Sequence, residues 1–145
     1  MASIFDVAKF FMHMNDTMTT MKLQKLCYYA QAWSLVWDDM PLFEEDFEAW
    51  ANGPVCPALF SAHKGQFVLK DGDLGTYDKS NFTLDQLETL EAVNKYYADK
   101  SPAWLSDLTH NEDPWKLARG KCLPGERCNS VILKDDMQNY YASLQ

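Results

Sequence analysis

Residues 21–37, MKLQKLCYYAQAWSLVW, limit how this chain can fold more than any other stretch, because from Leu26 to Trp37 only Gln31 and Ser34 interrupt an apolar run. Wound as a helix, the stretch sets Leu23, Leu26, Cys27, Ala30, Trp33 and Trp37 along one stripe, and Tyr28, Tyr29, Leu35 and Val36 widen that stripe beyond what a single neighbour covers. Such a helix belongs in the middle of a fold. Thr20 is placed to cap it, and Pro41 ends the pattern after a turn at residues 38–41. The apolar run is about half the ~20 residues of a membrane span, and it contains polar groups.

Around this element the rest of the chain reads as mainly α, a single compact helical domain of six or seven helices with one possible short β-hairpin. Ser3 with Asp6 forms a capping box for a helix from residue 4 to about 13, with Ile4, Val7, Ala8 and Phe11 at helical spacing. Residues 42–51 fit either a strand or a helix. Asn52-Gly53-Pro54 breaks the chain, and Pro54 suits the first turn of a helix running to about residue 64. Residues 66–82 read as a loop or weak hairpin. Thr83 with Gln86 opens a helix through Tyr97 that faces Leu84, Leu87, Leu90, Val93 and Tyr97 inward. Ser101-Pro102 and Asp113-Pro114 each cap a short helix, the second carrying Trp115. A last helix from about residue 134 returns Met137, Tyr140, Tyr141 and Leu144 to the core. No repeat divides the chain, so residues 1–145 form one domain.

Charge narrows the function classes. The 145 residues hold 21 acids and 13 Lys or Arg, a net charge of −8, which opposes phosphate-backbone binding as the main activity. Direct nucleic-acid binding is therefore not expected. The N-terminus lacks a basic segment, and Asp6 and Lys9 interrupt any apolar one, so the expected compartment is the cytoplasm, with Cys27, Cys56, Cys122 and Cys128 reduced. Cys122 and Cys128 could pair as a disulfide, supply half a metal site or do neither, and their five-residue gap is poor zinc spacing. No metal or other cofactor is expected. His13, His63 and His110 are isolated, no G-x-S-x-G or glycine-rich phosphate loop occurs, and Asp71-Gly72-Asp73 lacks the rest of a calcium loop. Nothing here points to an enzyme.

Two segments suit binding. Lys22 and Lys25 lie three apart on one helix face beside Tyr28, forming either a solvated edge or a small basic spot. Residues 38–48 contain Asp38, Asp39, Glu44, Glu45, Asp46 and Glu48, six acids in eleven residues, interleaved with Met40, Leu42, Phe43 and Phe47. They form either a solvated face over the core or a surface for a basic partner.

The order and spacing of Lys22-Leu23-Gln24-Lys25-Leu26, Tyr28-Tyr29-Ala30-Gln31, Pro41-Leu42-Phe43, Phe47-Glu48-Ala49-Trp50, Gly53-Pro54-Val55 and Pro57 resembles the Panacea domain. This is the SocA-like antitoxin family, also described through the phage-associated protein GepA. His110, Pro114-Trp115, Ile132 and Tyr140-Tyr141 resemble its C-terminal part more loosely. The resemblance implies a non-catalytic antitoxin that binds and neutralises a cognate protein toxin encoded beside it. A host protease or chaperone enters as a further partner where the antitoxin acts as a proteolytic adaptor. The alternative is a phage-encoded acidic inhibitor of a host defence protein. Candidate partner-binding residues are Lys22, Gln24, Lys25 and Tyr28 on the helix and Asp39, Phe43, Glu44, Glu45, Asp46 and Trp50 beyond it, the helical four being equally suited to an internal hydrogen-bond network.

Overall fold

The computed structural model describes residues 1–145 and builds them around one buried helix. Helix α1 (Ile4–Asn15) carries the Ser3/Asp6 capping box, and strand β1 (Thr17–Thr19) follows at once. Helix α2 (Thr20–Trp37) is the central element, and only Met21 and Trp37 among its residues are exposed. Its cap is Thr19, one residue before the expected Thr20: the Thr19 hydroxyl accepts from the Lys22 amide, while the Thr20 hydroxyl turns outward from the helix to the Gln66 carbonyl.

The next segment departs from expectation. Strands β2 (Glu48–Trp50) and β3 (Gly53–Val55) form an antiparallel hairpin that pairs Trp50 with Gly53 across a two-residue turn. Pro54 is therefore a strand residue. The helix placed there begins three residues later, as α3 (Pro57–His63), with Pro57 rather than Pro54 in its first turn. Residues 66–82, expected to form a loop or weak hairpin, supply strand β4 (Val68–Lys70), which pairs with β1 instead of with a neighbour of its own.

Helix α4 (Leu84–Tyr97) keeps its Thr83/Gln86 capping box, but Leu84 points to solvent while Leu90, Val93 and Tyr97 are buried. A position in the first turn, just inside the cap, precedes the point where the helix meets α2. Helices α5 (Pro102–His110), α6 (Asp113–Arg119) and α7 (Lys134–Ala142) complete the chain, and α7 and α4 are the main helical neighbours of α2. Glu112, not Asp113, occupies the capping position of α6 and gives it no side-chain cap. Met137 and Tyr141 reach the core, and Leu144 beyond the end of α7 stays exposed.

One continuous core unites these elements: Ile4, Phe11, Leu26, Tyr29, Phe43, Leu90 and Ile132 belong to a single apolar cluster. No helix is long and apolar enough to cross a membrane. Cys122 and Cys128 form a disulfide with Cα atoms 6.2 Å apart, whereas Cys27 and Cys56 are buried thiols. The expectation of four reduced cysteines is corrected at that pair. The turn at Pro124-Gly125 brings the two Cβ atoms within bridging range, which spacing alone did not decide.

Candidate functional site

A helix buried on almost every side must find partners for its polar residues. Those of α2 find them in the main chain of the segment that follows. Ser34 donates to the Met40 carbonyl at 2.7 Å. Gln31 donates to the Phe43 carbonyl and accepts from the Leu42 amide at 2.8 and 2.7 Å. Gln24 treats Cys56 the same way, donating to its carbonyl at 3.3 Å and accepting from its amide at 2.9 Å. Lys25 donates to the Pro54 carbonyl at 3.1 Å. Residues 40–56, which have little regular structure of their own, are thus fastened along the helix by side chains they lack themselves.

The fastening leaves a cavity of about 500 Å³ at the N-terminal end of α2. Gln24 and Lys25 line it from the helix, Trp50 from the β2–β3 hairpin, Phe60 and His63 from α3, and Arg127 from the loop closed by the disulfide. Trp50 and Phe60 meet edge to face at 5.0 Å. Gln24 Nε2 lies 3.0 Å from His63 Nε2. The Cys56 amide fixes the orientation of the Gln24 carboxamide, so its NH₂ donates to a neutral His63, consistent with burial lowering the His63 pKa.

Lys25 is 1% exposed, and burial brings its pKa down to about 7. Gly53 makes room for it. With φ at 118°, a Cβ on Gly53 would stand 2.6 Å from Lys25 Cε and 2.9 Å from Thr109 Oγ1. Arg119 secures the far wall: its guanidinium donates to the Ala49 carbonyl at 3.0 Å, and to the Leu123 and Glu126 carbonyls at 2.6 and 2.8 Å. It also sits over the Trp115 ring at 5.1 Å. These bonds hold the disulfide loop against the hairpin.

One helical turn beyond Lys25 lies a second buried charge. Glu112 Oε1 accepts from Tyr29 at 2.6 Å and from Tyr141 at 2.8 Å, and the Tyr141 hydroxyl is hydrogen-bonded to that of Tyr28 at 3.1 Å. Burial pushes the Glu112 carboxyl up, and the two tyrosine hydroxyls draw it partly back. Tyr97 stacks on Tyr29 at 4.2 Å and accepts from Trp33 Nε1 at 2.9 Å, which closes this cluster to solvent. The sequence marks this stretch only by the Asp113-Pro114 helix cap, and Glu112 is not among the candidates read from it.

The structure separates the sequence candidates by place. Gln24, Lys25 and Trp50 come together at the cavity. Tyr28 and Phe43 are fully buried and act inside the core. Lys22 is half-buried, its ammonium spent on the Ala98 carbonyl. The acidic segment lies on the surface, but most of its carboxylates already have partners. Asp38 accepts from Thr89 at 2.8 Å and Asp39 from Gln138 at 2.7 Å. Glu45 accepts from the Ile4 amide at 3.2 Å, Asp46 from Lys134 at 2.7 Å and Glu48 from Trp50 Nε1 at 2.8 Å. Glu44 is exposed and its carboxylate makes no such bond.

Neither a curated protein nor a solved structure matches the chain. The family model of the antitoxin SocA-like, Panacea domain matches residues 23–116, from the first buried turn of α2 into α6. That span holds Gln24, Lys25, the hairpin, α3 and Glu112, and leaves α1, the disulfide loop and α7 outside. With well over half of its length matched, the chain belongs to the SocA-like antitoxin family of Panacea domains.

Proposed function

We propose that this protein neutralises a cognate protein toxin by binding it directly, with no chemical step of its own. Membership of the SocA-like antitoxin family is the observation that carries the reading. The outer side of residues 38–48 is the face assigned to the toxin. It displays Asp39, Glu44 and Asp46 on a chain of net charge −8, which suits a basic partner surface and speeds encounter with it.

The test is expression of the gene beside this one, with and without this chain. Growth arrest by the neighbour alone, relieved by co-expression, supports the reading. A neighbour that is harmless at every expression level overturns it. The amount of toxin in rescued cells separates the two routes to neutralisation: an undiminished level means masking, and a fall means delivery to a host protease.

Glu44→Lys probes the docking face without disturbing the fold, because Glu44 holds nothing in place. Its effect on stability should stay within about 0.5 kcal/mol. Toxin association should slow and lose part of its salt dependence, as measured by surface binding kinetics. An unchanged association rate moves the interface away from this segment.

A further inference from the structure

The cavity beside Lys25 is furnished differently from the rest of the molecule. Its volume of about 500 Å³ falls within the ~300–1,000 Å³ of small-ligand sites. The chain is strongly acidic, yet Lys25, Arg127 and His63 line this cavity and no carboxylate does. Lys25 has three N–H donors and one acceptor, the Pro54 carbonyl. Arg127 is exposed and forms no ion pair with the protein. Trp50, Phe60, Met21 and Val55 supply an apolar, partly aromatic stretch of the lining, beside the polar Thr20, Gln24 and Asn52.

Holding the hairpin to α2 does not call for a lysine here. Gln24, the preceding residue, fastens Cys56 with two hydrogen bonds and buries no charge. Burying an ammonium opposite a single neutral acceptor carries a desolvation penalty that a carboxamide would avoid. An anion bound in the cavity against Lys25 would take up the two unspent N–H groups and offset that cost, and the exposed guanidinium of Arg127 lines the same cavity from the disulfide loop.

We propose that this cavity is a binding site for a small organic anion built on a flat apolar body, with its carboxylate or phosphate held by Lys25 and Arg127 and its ring lying against Trp50 and Phe60. The site is separate from the acidic face assigned to the toxin, and it is open to test on the isolated chain.

The probes are adenosine monophosphate and 2-naphthoate, titrated calorimetrically, with adenosine and inorganic phosphate as the ring-only and charge-only controls. Saturable one-to-one binding of at least one aromatic anion is expected, with both controls weaker by about tenfold or more. Lys25→Met should weaken that binding about tenfold or more, and Arg127→Ala about threefold to tenfold. Arg127 is exposed on its loop, so Arg127→Ala tests the site even where Lys25→Met alters the fold. Failure of both anions to bind by about 10 mM overturns the proposal. So does equal binding by phosphate alone, or affinity unchanged in Arg127→Ala and in a Lys25→Met protein whose melting is cooperative.

Discussion

Two side chains that carry charge in water are buried beside α2 about one turn apart, and the fold treats them differently. Glu112 lies within a tyrosine cluster, where Tyr29 and Tyr141 both donate to one of its oxygens and aromatic rings shut out solvent. Lys25 has a single carbonyl for company and a cavity at its side. Arg119, also buried, falls with Glu112, since three carbonyls receive its donors. A buried charge whose hydrogen bonds are met by the protein can hold elements together. One left short of partners weakens the fold and remains available to something outside it.

The largest effect should come from the satisfied charge. Glu112→Ala leaves the Tyr29 and Tyr141 hydroxyls without their acceptor and opens a void between α2, α6 and α7, a loss of about 3–5 kcal/mol in urea unfolding. Glu112→Gln keeps an acceptor and should lose about 1–2 kcal/mol. Losses of about 1 kcal/mol or less in both variants would show that the carboxylate is scenery within the tyrosine cluster and would dissolve the contrast with Lys25.

Next in size is Gly53→Ala. The added Cβ meets Lys25 Cε at 2.6 Å at a backbone angle that side chains avoid, so a loss of about 2–3 kcal/mol is expected. The variant also reports on what Lys25 does. Displacing the lysine while the hairpin survives should make its amine more reactive towards acylating reagents, read as labelling at Lys25 by mass spectrometry. Unchanged labelling would mean that the glycine serves the turn and not the lysine.

Particular residues show how far the sequence could be read. The central helix was legible because apolar width over seventeen residues has one physical solution, burial on several sides. Capping boxes at Ser3 and Thr83 were legible because they are local. Pro54 was misread as a helix start because its fate depends on Lys25 and Gln24, which capture the chain in extended form nearly thirty residues away in sequence. The signal existed: Gln24 and Gln31 stand seven apart, two turns on one face, and each grips a backbone amide and carbonyl. Glu112 gave no such signal, since an acid beside Asp113-Pro114 looks like a helix cap until a fold surrounds it with tyrosines. For the acidic segment the composition was legible, while the partners of Asp39, Glu45 and Asp46 come from Gln138, α1 and Lys134 and could not be read from spacing.

The smallest effect separates the two charges most directly, because it depends on pH. Burial lowers the Lys25 pKa to about 7 from its ordinary 10.5. Between those values the unfolded chain holds a proton at this site that the folded chain has released, so stability attributable to Lys25 rises with pH from about 7 upward. The full burial penalty applies below that window. Lys25→Met has no such proton. The stability of the variant minus that of the wild type should therefore fall by about 2 kcal/mol between pH 7 and 9, from a limiting slope of about 1.4 kcal/mol per pH unit. Taking the difference removes groups that titrate alike in both proteins, while His110, which the Lys25 charge helps to lower, shifts in the variant. His63 and His110, which face the same region, have pKa values lowered below their ordinary 6.5 and change charge outside the window. Cys27 and Cys56 are raised above 9.0 by burial and are common to both proteins. Urea unfolding at half-unit steps of pH measures the difference, and a value that stays flat from pH 7 to 9 would place Lys25 with Glu112 and Arg119 as a charge the fold has already satisfied.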